Sequence, residues 1–134
     1  MIILDTSYLV ALKNQKDVNF SKANQLQQEL IKKTYGKLLT TDYIFNEFVT
    51  FLRKKLHNPD EAVRLGEDLL YDKEILILGI AKLNFKESWE LFKKYPKISF
   101  TDATTVIIAQ RLKIEYVCSF DGDFDAFKNI KRIC

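Results

Sequence analysis

Glycine and proline are scarce in this chain, with four and two residues in 134. That leaves little material for long irregular loops or flexible linkers. There are two cysteines, Cys118 and Cys134, and neither belongs to a C-x-x-C spacing. They are too few for a disulfide framework, and two free thiols in a reducing compartment is the plainer reading. Histidine is limited to His57, so a zinc site built from Cys and His is excluded. His57 itself reads as a residue at a helix C-terminus. No apolar run approaches the roughly 18 residues needed to span a bilayer. No basic segment followed by an apolar h-region opens the chain, and the expected location is cytoplasmic. A large charge excess is missing as well. The 21 Lys and Arg stand against 18 Asp and Glu, a net charge of +3, too mild to establish nucleic-acid binding. Basic residues do gather at Lys32-Lys33, Arg53-Lys54-Lys55, Lys93-Lys94 and from Lys128 to Arg132. Each group also reads as a solvated face.

What is present is core material. Apolar residues make up 47% of the chain, with ten Phe and six Tyr, which excludes a disordered polypeptide. The length fits one domain over residues 1–134. Met1 to Leu4 is a short apolar run closed by Asp5, which reads as a buried strand. A helix is expected from about Ser7 to Asn14. A second runs from Ser21 to about Lys33, with Ala23, Leu26, Leu30 and Ile31 as its buried stripe and Gly36 as its stop. Residues 37–41 form a second strand, and Asp42 is the expected N-cap of a helix to about Leu56. Asp60 is expected to cap the next helix, to about Tyr71. Residues 74–78 make a third strand. In the helix from about Asn84 to Tyr95, Phe85, Trp89 and Phe92 share one face, an aromatic stripe that reads as core. Ser99 to Asp102 opens an apolar helix to Leu112. A fourth strand covers 114–118 and a last one about 130–133. Strands alternating with helices predict an α/β domain with a parallel sheet covered on both faces.

Right-handed crossovers bring the C-terminal ends of such strands to one edge, where ligands bind in open α/β sheets. Asp5 follows the first strand and Asp121 the fourth. Asp102 lies in the first turn of a helix, and Glu47 in the early turns of the helix leaving strand two. Taken singly, each has a bland explanation: Asp5 caps a helix as readily as it builds a site, and Glu47 can reach water from the margin of an apolar face. Together they place four carboxylates at one edge, with Asp123 as a fifth candidate. Packed carboxylates repel unless a cation joins them, and all-oxygen ligation suits Mg²⁺ or Mn²⁺. The hydroxyls of Ser7, Thr101 and Ser119 adjoin three of the acids, either to orient them or as ordinary caps.

Four stretches now fall into one pattern: Ile3-Leu4-Asp5-Thr6-Ser7, Thr41-Asp42-Tyr43-Ile44-Phe45-Asn46-Glu47, Ser99-Phe100-Thr101-Asp102-Ala103 and Ser119-Phe120-Asp121-Gly122-Asp123-Phe124. In this order, and across essentially the whole chain, the sequence resembles the PIN-domain family of metal-dependent ribonucleases. The resemblance implies a three-layer α/β/α sandwich with a central parallel sheet of four to five strands. It implies an acidic site that binds Mg²⁺ or Mn²⁺ and hydrolyses RNA phosphodiester bonds. Asp5, Glu47 and Asp102 match the family's three core acids, and Asp121 the fourth; Ser7 matches a hydroxyl near the first. Small members of the family resemble toxins of toxin–antitoxin pairs, which implies a homodimer and an antitoxin partner.

Other readings remain beside it. The same domain could bind RNA or a partner without cutting. A phospho-accepting receiver domain needs an acid pair after strand one and an Asp after strand three, where this chain has Asp5-Thr6-Ser7 and Leu78-Gly79-Ile80. A haloacid dehalogenase-type phosphatase needs D-x-D, and Ser7 stands in the second place.

Overall fold

The opening run Ile2-Ile3-Leu4 becomes strand β1 (Ile2–Leu4), buried along its whole length, in a computed structural model that describes residues 1–56 and 58–134. A strand with no polar side chain has to be covered on both faces, and a parallel sheet between helices does this. The other strands are β2 (Leu38–Thr41), β3 (Ile75–Leu78), β4 (Tyr116–Cys118) and β5 (Lys131–Ile133). Every pairing is parallel, in the order β3-β2-β1-β4-β5. Ile3 lies opposite Leu39 on one side and Val117 on the other.

Six α-helices connect the strands among the described residues: α1 (Thr6–Lys13), α2 (Phe20–Ile31), α3 (Asp42–Lys55), α4 (Pro59–Leu70), α5 (Lys82–Lys94) and α6 (Phe100–Leu112). A short 3₁₀ helix, Gly122–Ala126, follows β4. The chain steps outward from β1 through β2 to β3, then crosses to the far side of β1 for β4 and β5. With right-handed crossovers, α1 to α4 cover one face and α5 and α6 the other. The packing agrees: α3 lies against α1 and α4, and α5 against α6. The reversal of strand order beside β1 makes a topological switch point, where the helices diverge and leave a crevice.

The core holds Tyr8, Ile44, Phe48 and Leu52 from α1 and α3, and Val106 and Ile108 from α6, around Ile2, Ile3, Leu39 and Val117 of the sheet. Burying side chains of this size stabilises the fold by about 1.5–3 kcal/mol each. Helix α6 is buried from Asp102 to Ala109, so it must be apolar around its whole circumference rather than on one stripe.

Several local expectations change. The cap of α3 is Thr41, whose Oγ1 accepts the Ile44 N–H at 3.2 Å. Asp42 instead takes the first helical position, and its Oδ2 accepts the Ile80 N–H beyond β3 at 3.1 Å. Likewise α4 is capped by Asn58, which accepts the Glu61 N–H; Pro59 fills N1, where its missing N–H costs nothing, and Asp60 lies inside the helix. Helix α2 ends at Ile31, which is 61% exposed rather than part of the buried stripe. Gly36 lies in the turn beyond at φ +81°, and a Cβ there would come within 3.0 Å of the Met1 nitrogen. The aromatic stripe of α5 is not core: Phe85 is 44% and Trp89 48% exposed. In this helix Ser88 is the buried residue, because α5 turns a narrow small-residue face to α6. Leu9 and Val10 of α1 are buried. The expectation for His57 falls outside the described residues. Both cysteines are free thiols, and no helix of the described residues is long and apolar enough to cross a membrane.

Candidate functional site

Strand β1 delivers Asp5 to the switch point. Its N–H donates to the Cys118 carbonyl at 3.0 Å, which fixes it against the end of β4. The side chain caps α1 and is buried. Oδ2 accepts the Ser7 N–H at 3.3 Å, the Ser7 hydroxyl at 2.8 Å and the Ser119 hydroxyl at 2.7 Å. Oδ1 accepts nothing from the described residues. Each hydroxyl has one proton. With both spent on Oδ2, the 3.0 Å approach of the two serine oxygens has no proton of its own. Capping and site-building thus use the same carboxylate, and the choice between them posed by the sequence dissolves.

The serines also set the next loop. The Phe120 N–H donates to Ser7 Oγ at 2.9 Å and the Asp121 N–H to Ser119 Oγ at 3.0 Å. Asp121 Oδ1 in turn accepts the Asp123 N–H at 2.9 Å. Asp102 sits at N3 of α6 in a reciprocal capping box. Its Oδ2 accepts the Ser99 N–H at 2.7 Å, and its own N–H donates to Ser99 Oγ at 3.0 Å. Glu47, on α3, accepts the Thr6 hydroxyl at 2.5 Å.

Asp5, Glu47, Asp102 and Asp121 line one cleft of about 360 Å³, with Thr6, Ser7, Ser99 and Phe120. Carboxylate oxygens of Asp102, Asp121 and Asp123 lie within 4.8 Å of one another. Asp5 and Glu47 share the cleft without joining that closest set. The Thr101 hydroxyl hydrogen-bonds no carboxylate among the described residues; its carbonyl accepts from Thr104 and Thr105. Three contributors escaped the sequence reading. Ser99 was legible as the first residue of an S-x-x-D capping box. Thr6 had only its place beside Asp5, and Arg132, discussed below, had no local signal. A larger cavity of about 520 Å³ opens among α1, α2 and β2–β3, with a largely apolar lining that includes Leu9, Leu12 and Leu30. It touches none of these acids.

The cleft is short of positive charge. Burial pushes the Asp102 carboxyl up to about 6; Ser99 hydrogen bonds oppose this, and the charges of Asp5 and Asp121 add to it. Burial also raises Asp5, against the pull of Ser119 and Ser7. None of the ion pairs among the described residues uses Asp5, Glu47, Asp102, Asp121 or Asp123. An all-oxygen donor set, held apart from every Lys and Arg and protonated more readily than usual, fits a hard divalent cation.

Fold and cleft together define a parallel α/β domain with an acidic site at its switch point. The chain belongs to the PIN domain family, whose model matches residues 2–130. Among solved structures, it is similar to VapC20 of Mycobacterium tuberculosis, described as a sarcin–ricin loop cleaving toxin. That match has a TM-score of 0.83 at 22% identity and covers 96% of this chain and 95% of the other. It is also similar to a chain of VapBC2 from Rickettsia felis bound to a promoter DNA fragment, with a TM-score of 0.70, 13% identity and coverage of 99% and 98%. A toxin–antitoxin complex from Klebsiella pneumoniae matches with a TM-score of 0.68, 16% identity and coverage of 98% and 96%. These likenesses establish a VapC-like fold. No curated protein sequence matches the chain.

Proposed function

We propose that this chain is a metal-dependent endoribonuclease and the toxin of a toxin–antitoxin pair. One observation carries the reading: the carboxylates gathered at the switch point have no counter-cation of their own. Asp102, Asp121 and Asp123 are close enough to share one Mg²⁺ or Mn²⁺, with Asp5 and Glu47 completing the acidic wall. A divalent ion held there supplies a lowered pKa for water and offsets charge on a phosphoryl oxygen. The chain's own groups prepare that chemistry. Ser7 and Ser119 lock one oxygen of Asp5 and leave the other for the cleft. Thr6 holds Glu47, and the capping box holds Asp102. Buried walls raise the strength of each electrostatic contact. Lys22, over the Phe120 ring at the rim, is placed to meet an RNA phosphate. Free thiols fit a cytoplasmic setting.

Two partners accompany this function. The half-exposed Leu83, Phe85 and Trp89 on α5 form an apolar patch suited to a homodimer contact. An antitoxin follows from the neighbours crystallised as toxin–antitoxin assemblies.

The test is direct. Purified protein with Mn²⁺ should cut RNA, EDTA should stop it, and Asp5→Asn should abolish cutting. Equal cutting in EDTA removes the metal mechanism. Intact RNA that still binds tightly to Asp102→Asn identifies a binding module instead.

A further inference from the structure

The loop after β4 carries two of the closest-set acids, Asp121 and Asp123, and its two ends are tied by one guanidinium outside the site. Arg132 on β5 donates from Nε and Nη2 to the two oxygens of Asp125 at 2.9 and 2.8 Å. Its Nη1 points the other way, donating to the Ser119 carbonyl at 3.5 Å and the Cys134 carbonyl at 3.0 Å. Ser119 begins the loop and Asp125 lies in its closing 3₁₀ turn. The Arg132 side chain is only 23% exposed, so the fork is held in a partly desolvated setting. Between its two points of attachment, the loop must keep Asp121 and Asp123 beside buried Asp102 while three like charges repel.

We propose that Arg132 is a positioning residue that clasps the loop from Ser119 to Asp125 and so presets Asp121 and Asp123 for a divalent cation that Arg132 never touches. The inference rests on the metal reading given above. Ordering a loop before the ligand arrives removes that cost from binding. A guanidinium suits the task because its planar fork serves a carboxylate and a carbonyl at once, whereas a lysine offers one point of charge. Asp125 is the clasp's other half, its carboxylate committed to Arg132 and outside the closest set of acids. An ion pair near the surface contributes little to global stability, so losing the clasp should leave the fold intact and change the site.

The experiment measures Mn²⁺ affinity by calorimetry for the wild-type chain and for Arg132→Met, Arg132→Lys, Asp125→Asn and the Met/Asn double variant. It adds hydrogen exchange of the amides of residues 120–125 in EDTA, and thermal melting as a control. The expected result is a roughly tenfold rise in the Mn²⁺ dissociation constant for Arg132→Met. Asp125→Asn should match it, the double variant should be no worse than either, and Arg132→Lys should fall with Met. Loop amides should exchange faster in each variant at little change in melting temperature. At saturating Mn²⁺, kcat should return towards the wild-type value with KM for RNA unchanged. Wild-type affinity in Arg132→Met or in Asp125→Asn overturns the clasp, as does full rescue by lysine or additive losses in the double variant. If Arg132→Met does not fold, Asp125→Asn alone decides. A wild-type chain that binds no Mn²⁺ overturns the metal reading and the clasp with it.

Discussion

Replacing Asp102 by Asn should stabilise the metal-free protein at neutral pH. The Asp102 carboxyl titrates at about 6 in the fold against an ordinary 3.8, and only 8% of the residue is exposed. Each tenfold step in acidity is worth about 1.4 kcal/mol, so keeping this group charged above pH 6 costs about 3 kcal/mol. The folded state holds a proton on Asp102 that the unfolded chain has released. Stability conferred by that proton is therefore complete below about pH 4 and gone once pH passes about 6. Asn is the same size, carries no charge, and its side-chain oxygen can still accept the Ser99 N–H, so the cap survives. Urea denaturation in EDTA from pH 4 to 8 should show the two proteins close together at acid pH. They should part by about 3 kcal/mol at pH 7.5, with the variant melting on the order of 10 °C higher. Burial raises Asp5 in the same direction, but Asp5 is present in both proteins, so only the difference between the curves belongs to Asp102. Adding Mn²⁺ at a hundred times its dissociation constant should restore about 2.7 kcal/mol to the wild type and little to the variant. Parallel pH curves, or a variant less stable at pH 7.5, would refute the claim that Asp102 is held charged at a cost.

Ser119→Ala removes the 2.7 Å bond to Asp5 and the acceptor for the Asp121 N–H. Equilibrium unfolding should register a loss of about 1.5–3 kcal/mol. Thr6→Val takes away the hydroxyl that holds Glu47; Mn²⁺-dependent RNA cutting should fall roughly 10- to 100-fold, the value of a hydrogen bond to a charged group. In Gly66→Ala the new Cβ meets Val49 Cγ1 at 2.9 Å between α3 and α4. Overpacking should outweigh the gain of about 1 kcal/mol in helix propensity, so a higher melting temperature would show that Val49 gives way. Trp89→Glu puts a charge into the apolar patch of α5 and should turn a dimer into a monomer by light scattering; an unchanged mass would place the dimer contact elsewhere.

Much of the architecture was legible because it rests on pattern. The five strands and six helices follow from short apolar runs alternating with helical spacing, and the four acids were found by asking what ends each strand. The errors lie where neighbouring residues compete for one local role. Thr41 and Asp42 can each cap α3, and the β2 register decides for Thr41. Asn58 wins over Asp60 because Pro59 is already fit for N1. The stripe of Phe85 and Trp89 has core periodicity, but periodicity says which residues share a face and not whether anything covers it. The hydrogen bonds at the site were the least visible part. Thr6 reaches Glu47 across 41 positions, and Arg132 reaches Asp125 and Ser119 from another strand. Such pairs follow from strand order, which crosses β1 between β3 and β4.

The bond between Ser119 and Asp5 joins residues 114 positions apart. On a ribosome the first acid emerges early, and the hydroxyl that locks it emerges after most of the chain has been made. Pairing of β1 with β4 closes that long loop, and such distant contacts form late in folding. A nascent chain halted before Ser119 would have Asp5, Glu47 and Asp102 but neither the lock on Asp5 nor the loop bearing Asp121 and Asp123. For a protein that cuts RNA, this delays activity until synthesis is nearly finished. The ribosome that makes it, itself built of RNA, is thus shielded by the order in which the sheet is assembled.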